Sequence, residues 1–247
     1  MAERIINVRQ PAYLPGVVYF DQLLQSEEGI HVIYDNVQYE RRHWGNRNKI
    51  INPNGPDGWQ WLTVPVITKG KRDQLYSETE IDNSQPWGKH HWKAISQIYS
   101  KSPYFDQYAG FFDHLYQRKW DRITDLNVAI VGFLNEQLGI KTKTVLASEL
   151  GTGADFEDKN MRLIAITKEL KGTAYVTVKG TKGYIQPKKF EEAGITLLWH
   201  QFEHPTYSQF QGEFIPWMST IDLLMNCGPE SGGIIRANMQ KPTAQDY

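Results

Sequence analysis

Cysteine is almost absent from this sequence. Cys227 is the one cysteine in 247 residues, which rules out an internal disulfide and the cysteine-rich zinc patterns. It lies beside the end of a predicted helix. We therefore expect a packed thiol rather than a nucleophile, because an activated cysteine needs a cationic and accessible setting.

Long apolar runs are also missing. No window approaches 18 uninterrupted apolar residues, and the start, MAERIINV, lacks the basic segment and apolar core of a signal peptide. The sequence therefore predicts a soluble, cytoplasmic protein without membrane association.

Neither sign of charge is in clear excess. The chain carries 27 lysines and arginines against 28 carboxylates, with a net charge of −1 and a pI near 6.7. General nucleic-acid binding usually needs a strongly basic face, so this balance argues against it but allows a local basic pocket.

The familiar catalytic and phosphate-binding motifs are missing as well. The sequence has no GxxxxGK[ST], HExxH or GxSxG, and GTGADF at Gly151 lacks the third glycine of GxGxxG. We therefore predict no bound metal and no cofactor.

Short apolar runs that alternate with helical patterns are present. The chain is 40% hydrophobic and 13% aromatic, enough to fill a core. Such alternation predicts an α/β fold with a doubly wound, mostly parallel, Rossmann-like sheet of about five strands. The predicted strands are 4–9, 31–35, 144–147, 174–178 and 196–201. The predicted helices are 16–25, 87–99, 104–117, 122–138, 156–170, 190–193, 220–225 and 230–239.

We predict a single α/β domain over residues 1–247 that carries two additions. Segments 47–52, 59–67 and 79–81 read as an antiparallel β insertion at about 40–82, with PNGPDG as a hairpin loop. A helical segment follows at about 86–139. Asp155 and Asp158 resemble a capping box before the helix at 156, and the polar tail QKPTAQDY is expected to fray.

The loops that follow the first two predicted strands supply candidate site residues. The first strand runs through a Gln-Pro and Pro-Gly turn into a helix, which aims backbone N–H groups at a ligand. Asp35 ends the second strand, on the side of the sheet where ligands bind, with Gln38 and Tyr39 just beyond. The run from Glu40 to Lys49 is either a solvated loop or a phosphate clamp.

Other polar groups allow two interpretations each. The loop VKGTKGYIQPKK is either an ordinary turn or a cationic lid. His91 is either a packing histidine or a general base. Asp222 and Asn226, four residues apart on a helix, either point into a cleft or tie helices together.

Blocks along nearly the whole chain, from Arg9 to Ser231, resemble the WbqC-like protein family. They include QPAYLPGVVYFDQL, DNVQYERRHWGNRNKI, GWQWLTVPV, WGKHHWKAI and HPTYSQFQGEFIPWMSTIDLLMNCGPES. The first block departs from the family pattern, since Gly16 and Val18 replace its Trp and Gly. The family's polar motif positions fall on Gln10, Tyr13, Asp35, Gln38, Tyr39, Arg47, Asn48, Thr63, His91, Asn127, Asp222 and Asn226.

The resemblance implies an enzyme that transfers an aminoacyl group of the glycyl type, or an acyl group, to an amine. The acceptor would be a small-molecule amine or a nucleotide-linked amino sugar, and an aminoacyl-tRNA is one candidate donor. We expect His91 or Asp35 to act as base, Gln10 and Asn48 to donate hydrogen bonds, and Arg47 to hold phosphate or carboxylate. The oligomeric state stays open.

Two alternatives remain. The first is a nucleotide-dependent, nucleotidyltransferase-like enzyme, although the HxGH motif is missing because no histidine lies between Ala2 and Gly29. The second is a non-catalytic binding module. An enzyme would bring Gln10, Asp35, Arg47 and His91 to one deep cleft, whereas a binding module would present a broad aromatic or basic face.

Overall fold

The computed structural model describes residues 3–152, 156–210 and 212–244. Five short strands form a parallel sheet in the order β5-β2-β1-β6-β7, and β3 pairs with β4 in a separate antiparallel ribbon. This confirms the predicted α/β fold. The strands are β1 (Ile5–Arg9), β2 (Ile30–Ile33), β3 (Arg47–Ile51), β4 (Trp59–Thr63), β5 (Lys143–Leu146), β6 (Ala174–Thr177) and β7 (Thr196–Trp199).

The helices follow the predicted order. α1 joins β1 to β2, three long helices follow the ribbon, α5 and α6 flank β6, and α7 and α8 come after β7. The helices are α1 (Val17–Leu24), α2 (Trp87–Tyr99), α3 (Phe105–Gln117), α4 (Ile123–Gln137), α5 (Lys159–Glu169), α6 (Pro187–Glu192), α7 (Thr220–Cys227) and α8 (Ser231–Asn238).

Apolar side chains cover both faces of the sheet, as its β-branched strands predict. On one face, Ile6 and Val32 pack with Ile166 of α5. On the other face lies α1, whose Gln22 carbonyl accepts a hydrogen bond from Asn7 Nδ2 at 2.9 Å. A larger cluster joins α1 to α2, α3, α4, α7 and the ribbon, so the insertion is packed onto the helices.

The predicted third strand of the insertion is shorter than expected. Residues 79–81 form isolated bridges, in which Ile81 pairs with Val66 and Glu80 with Arg122. Their backbone divides its hydrogen bonds between two neighbours: Ile67 N donates to Glu80 O at 2.9 Å, and Ile81 N donates to Asp121 O at 2.9 Å. A ladder with β4 therefore does not continue.

The start of α5 and the chain's tail differ from the sequence-based predictions. Asp158 caps α5, because its side chain accepts hydrogen bonds from the backbone of Asn160 and Met161, whereas Asp155 lies outside the described residues. The tail was expected to fray, but Thr243 pairs with Trp199 through two backbone hydrogen bonds of 2.7 and 3.1 Å. This pairing covers part of the exposed edge of β7.

Across residues 3–152, 156–210 and 212–244, no helix combines the length and the apolar character needed to cross a bilayer.

Candidate functional site

A large cavity opens at the carboxyl ends of β1 and β6. These neighbouring strands continue into helices on opposite faces of the sheet, so the connections part and leave a crevice between them. The cleft has a volume of about 1060 Å³ and is lined by the β1–α1 turn, the loop after β6 and residues near the ribbon. It is therefore large enough for a nucleotide-sized ligand.

The β1–α1 turn is strained and is held by two hydrogen bonds. Leu14 is fully buried and has a φ of +44°, a conformation that costs a non-glycine residue about 1–3 kcal/mol. Asn48 Nδ2 donates to Leu14 O at 2.6 Å, and Tyr13 N donates to Trp44 O at 2.9 Å. The ribbon and its flanking loop thus fix the shape of the turn.

The amino end of α1 faces the cleft. Gly16, Val17 and Val18 all line it, and no side chain caps this end of the helix among the described residues. The first N–H groups of a helix and its dipole favour an anion. The strand–turn–helix arrangement predicted from the sequence is therefore present at the cleft.

Arg9, the last residue of the central strand, lies on the cleft floor. Its guanidinium donates a hydrogen bond to the Gln22 amide oxygen and lies 5.7 Å from the centre of the Tyr19 ring. No described carboxylate forms an ion pair with it. Desolvation lowers the pKa of Arg9, and a half-buried cation without a carboxylate partner favours an anionic ligand.

The cleft lining is cationic overall. Arg9, Lys49, Lys159 and Arg162 line it, and Glu40 is the one carboxylate among the described lining residues. The Gln10 amide donates to Glu40 Oε1 at 2.9 Å, which orients this carboxylate. The cleft therefore combines several positive groups with a single negative group.

Aromatic rings form the walls and the rim. Trp44 is 45% exposed and Trp217 is 54% exposed, both at the cleft. Trp217 has a φ of +66°, and its backbone N–H donates to His204 Nε2 at 3.1 Å. His204 is therefore a neutral acceptor at that nitrogen, and burial lowers its pKa. The other aromatic side chains on the lining are Tyr19, Tyr34, Tyr175 and Tyr184.

Three predicted site residues line the cleft: Gln10, Gln38 and Asn48. Gln10 orients Glu40. Gln38 donates through Nε2 to Arg72 O and Asp73 Oδ1, both at 3.2 Å. Asn48 holds the strained turn, so its amide is already engaged.

His91 is buried beneath the turn and is not on the described lining of the cleft. Its Nδ1 lies 2.7 Å from the Tyr13 hydroxyl, which is also 2.6 Å from the Tyr116 hydroxyl. Burial lowers the pKa of His91 to about 4, and a hydrogen bond to the Thr63 backbone acts in the opposite direction. These contacts support the packing interpretation for His91 and Tyr13.

Asp35 ties two strands of the sheet together. Its carboxylate accepts hydrogen bonds from Ser148 N at 2.9 Å and Ser148 Oγ at 2.5 Å, just after β5. Asp35 is buried and is not among the described lining residues. The catalytic roles predicted for His91 and Asp35 thus gain no support from the cleft.

Four further predicted residues lie around the ribbon, outside the described cleft lining. Arg47 Nη2 donates to Arg42 O at 2.6 Å, and Arg47 pairs with the exposed Thr63 across the ribbon. Asn127 Nδ2 donates to Gly45 O at 2.8 Å. Tyr39 packs edge-on against the Tyr76 ring.

Asp222 and Asn226 link α7 to the long loop that precedes it. Asp222 is fully buried, and its carboxylate accepts hydrogen bonds from Tyr207 at 2.8 Å and Gln209 at 2.7 Å. Asn226 accepts from the backbone N–H of Phe210 at 2.8 Å. Burial raises the pKa of Asp222. These hydrogen bonds support the interpretation that Asp222 and Asn226 tie structural elements together.

Sequence reasoning did not select Arg9, Glu40 or Trp217 individually. Arg9 had one recognisable signal: it is a charged residue directly after the buried run of the first strand, at the sheet edge where ligands bind. The signal for Glu40 was only its place in the basic run, and no pattern in the sequence indicated Trp217. Their convergence depends on contacts between segments far apart in the chain.

Neither metal binding nor cysteine nucleophilicity gains support from the described residues. Within the described ranges, no three His, Cys, Asp or Glu side chains are grouped as metal ligands would be. Burial raises the pKa of Cys227 to about 11, with Asp222 adding to the shift, so the thiolate is disfavoured.

Comparisons with known proteins support one assignment. A relative in Mycobacterium tuberculosis (strain ATCC 25618 / H37Rv), described as "Uncharacterized protein Rv1507c", is 32% identical over 236 residues, covering 94% of this chain and 97% of the relative. No solved structure matches significantly. The profile of the WbqC-like protein family matches residues 10–234, and the chain therefore belongs to the WbqC-like protein family.

Proposed function

We propose that this protein is a transferase that forms an amide by moving an aminoacyl or acyl group from an activated donor to an amine. The amine is carried by a small anionic molecule, such as a nucleotide-linked amino sugar. The observation that carries the proposal is the cleft at the β1–β6 switch point, where Arg9 lies at the floor and Glu40 stands alone among cations.

The charges of the cleft match such an acceptor. Phosphate groups would bind at Arg9 and at the uncapped amino end of α1, where backbone N–H groups converge. Rings of the ligand would stack on the aromatic walls, which include Tyr184 and Trp217. The volume of about 1060 Å³ accommodates a nucleotide and a sugar together.

Glu40 is the group best placed to handle the amine. A protonated amine would pair with its carboxylate, which the Gln10 amide holds in position. Glu40 would then accept a proton from the ammonium, and the free amine would attack the acyl carbonyl. As the tetrahedral intermediate collapses, the carbon–leaving-group bond would break, and the leaving group would take up the second proton that the attacking nitrogen releases.

This assignment moves the base from His91 or Asp35 to Glu40. Proton transfer needs a group within hydrogen-bond reach of the substrate. Glu40 lines the cleft, whereas the carboxylate of Asp35 and the ring of His91 are engaged elsewhere in the protein.

The test is a product assay. Purified protein would be incubated with a nucleoside diphosphate-linked amino sugar and, in parallel, a glycyl-tRNA, a glycyl thioester or an acyl thioester. We expect an amide product by mass spectrometry with one of these donors and no product from the matching sugar that carries a hydroxyl in place of the amine. Binding of the nucleotide sugar without product from any donor would favour a non-catalytic binding module.

A further inference from the structure

The outward face of the β3–β4 ribbon carries alternating cations and indole rings. The register pairs Lys49 with Trp61 and Arg47 with Thr63, so their side chains share one face. The opposite face places Ile50 and Leu62 in the hydrophobic core. Arg47, Lys49 and Trp61 are therefore not part of that core cluster, whereas Ile51, the next residue on their face, is buried.

The rings and cations on this face form a continuous row of contacts, in which the indole rings are tilted or edge-on to one another. The Trp44 ring lies 5.6 Å from Trp61, and Trp59 lies 5.7 Å from Trp61 at 88°. The Arg47 guanidinium is 4.3 Å from the Trp61 ring, and Lys49 Nζ is 4.2 Å from the Trp59 ring. We call these five residues the ribbon ladder.

The positive charge of the ribbon ladder is not neutralised by the protein. Neither Arg47 nor Lys49 forms an ion pair with a described carboxylate. Seven lysines and arginines lie between Arg41 and Arg72, and Asp57 is the one carboxylate in that stretch of sequence. A chain with a net charge of −1 thus concentrates positive charge between residues 41 and 72, and four carboxylates follow at residues 73–82.

Stability alone does not explain this pattern. An exposed cation–π contact contributes only about 0.5–1 kcal/mol, and the mutual repulsion of nearby cations reduces that gain. Rows of aromatic rings with interleaved cations are the arrangement that binds unpaired nucleotides, because bases stack on the rings and phosphates pair with the cations.

The ribbon ladder leads directly into the cleft. Trp44 and Lys49 belong both to the ladder and to the cleft lining. A strand bound along the ladder would therefore place its end inside the cleft, beside Glu40 and Arg9.

We propose that the ribbon ladder binds the unpaired nucleotides at the end of an RNA and delivers that end to the cleft. This inference rests on the proposed function, in which the RNA would be the carrier of the aminoacyl group. It names the donor class and the surface that recognises it. Arg47 then binds an RNA phosphate, rather than a phosphate of the acceptor.

The test measures binding of a fluorescein-labelled eight-nucleotide single-stranded RNA by fluorescence anisotropy, beside the same sequence as a duplex. We expect the single strand to bind more tightly, with an affinity that falls as salt rises. Trp61→Leu should weaken binding by about 5- to 100-fold, the range for loss of one base–aromatic stack. Arg47→Gln should make the plot of log binding constant against log salt concentration shallower, by about one unit of slope.

Lys101→Gln and Phe210→Leu are matched controls, because both are exposed residues outside the ribbon ladder and the cleft lining. Thermal unfolding would verify that each variant is folded. If Trp61→Leu fails to fold, the RNA affinity of Arg47→Gln tests the inference. Equal binding of single strand and duplex, or variants that bind like the controls, would overturn the inference.

A separate measurement distinguishes the two proposals. Pyrophosphate binding to the cleft, measured by calorimetry, should be unchanged in Arg47→Gln and Trp61→Leu, since neither residue is on the described lining. If pyrophosphate binds but RNA does not, the ribbon inference fails and the proposed acceptor site stands. If RNA binds but pyrophosphate does not, the acceptor site fails instead.

Discussion

The Tyr13 hydroxyl lies 2.7 Å from Nδ1 of His91, and this contact joins the β1–α1 turn to α2. His91 thereby supports the turn from below, and its burial disfavours the charged imidazolium. Acid should therefore loosen the structure that shapes the cleft floor.

Stability should fall as the pH drops from 6.5 to 4. In this window the unfolded chain protonates His91 at its ordinary pKa near 6.5, whereas the folded pKa of about 4 keeps the ring neutral. The shift corresponds to roughly 3 kcal/mol of unfolding free energy, present above pH 6.5 and lost as the pH falls toward 4. Urea unfolding at several pH values would measure it.

His91→Gln should be less stable than the natural protein at pH 7 but should show a shallower pH dependence between 4 and 6.5. Some slope should remain, because burial also lowers the pKa of His31, to about 3. An unchanged slope in His91→Gln would mean that His91 does not titrate in this way.

Arg9→Lys should weaken anion binding by about 10- to 100-fold. Lysine keeps the charge but loses the fork that can bind two phosphate oxygens, and a charge-assisted hydrogen bond contributes about 1.5–3 kcal/mol. Calorimetry with pyrophosphate or a nucleoside diphosphate would measure the loss. Arg47→Lys, outside the described lining, is the matched control, and an equal loss in both variants would place the anion elsewhere.

Glu40→Gln should reduce product formation while leaving anion binding nearly unchanged. The amide cannot accept the proton of the ammonium, and general base catalysis contributes about 10²–10⁴-fold. The check is the turnover number with the amine acceptor beside the affinity for pyrophosphate. If Glu40→Gln turns over normally, another group acts as the base.

Asp222→Ala should destabilise the fold by about 3–5 kcal/mol without altering the cleft. It leaves the buried Tyr207 hydroxyl and Gln209 amide without the carboxylate that accepts their hydrogen bonds. Thermal unfolding would show the loss, and pyrophosphate affinity below the melting transition should be retained. A selective loss of affinity with normal stability would instead indicate contact with a ligand.

Local patterns predicted the fold well, because each depends on nearby residues. The five buried runs became the parallel strands, and PNGPDG became the loop between β3 and β4. Predicted helix boundaries were mostly within one to three residues of those observed. The prediction of a frayed tail was wrong at Thr243, because its pairing with Trp199 is a contact between distant segments; residues 245–247 lie outside the described residues.

Contacts between distant segments also explain why the predicted site residues and the residues that line the cleft differ. Gln10, Gln38 and Asn48 reached the cleft, since each follows a strand end or faces the turn. Asp35 follows a strand end too, but its carboxylate turned to Ser148, more than a hundred residues away in the chain. A polar residue at this edge of a sheet can either line the cleft or form structural hydrogen bonds. Its neighbours in space decide between these two roles.

The sequence by itself determined the family, the α/β class and the edge of the sheet at which the cleft opens. These features follow from hydrophobic periodicity, turn residues and the order of motifs along the chain. Tertiary structure alone decided that Arg9 lacks a carboxylate partner among the described residues, that Glu40 stands beside Gln10, and that His91 is held under the turn. Burial and charge pairing are properties of neighbours in space, so they arise only once the distant segments have packed.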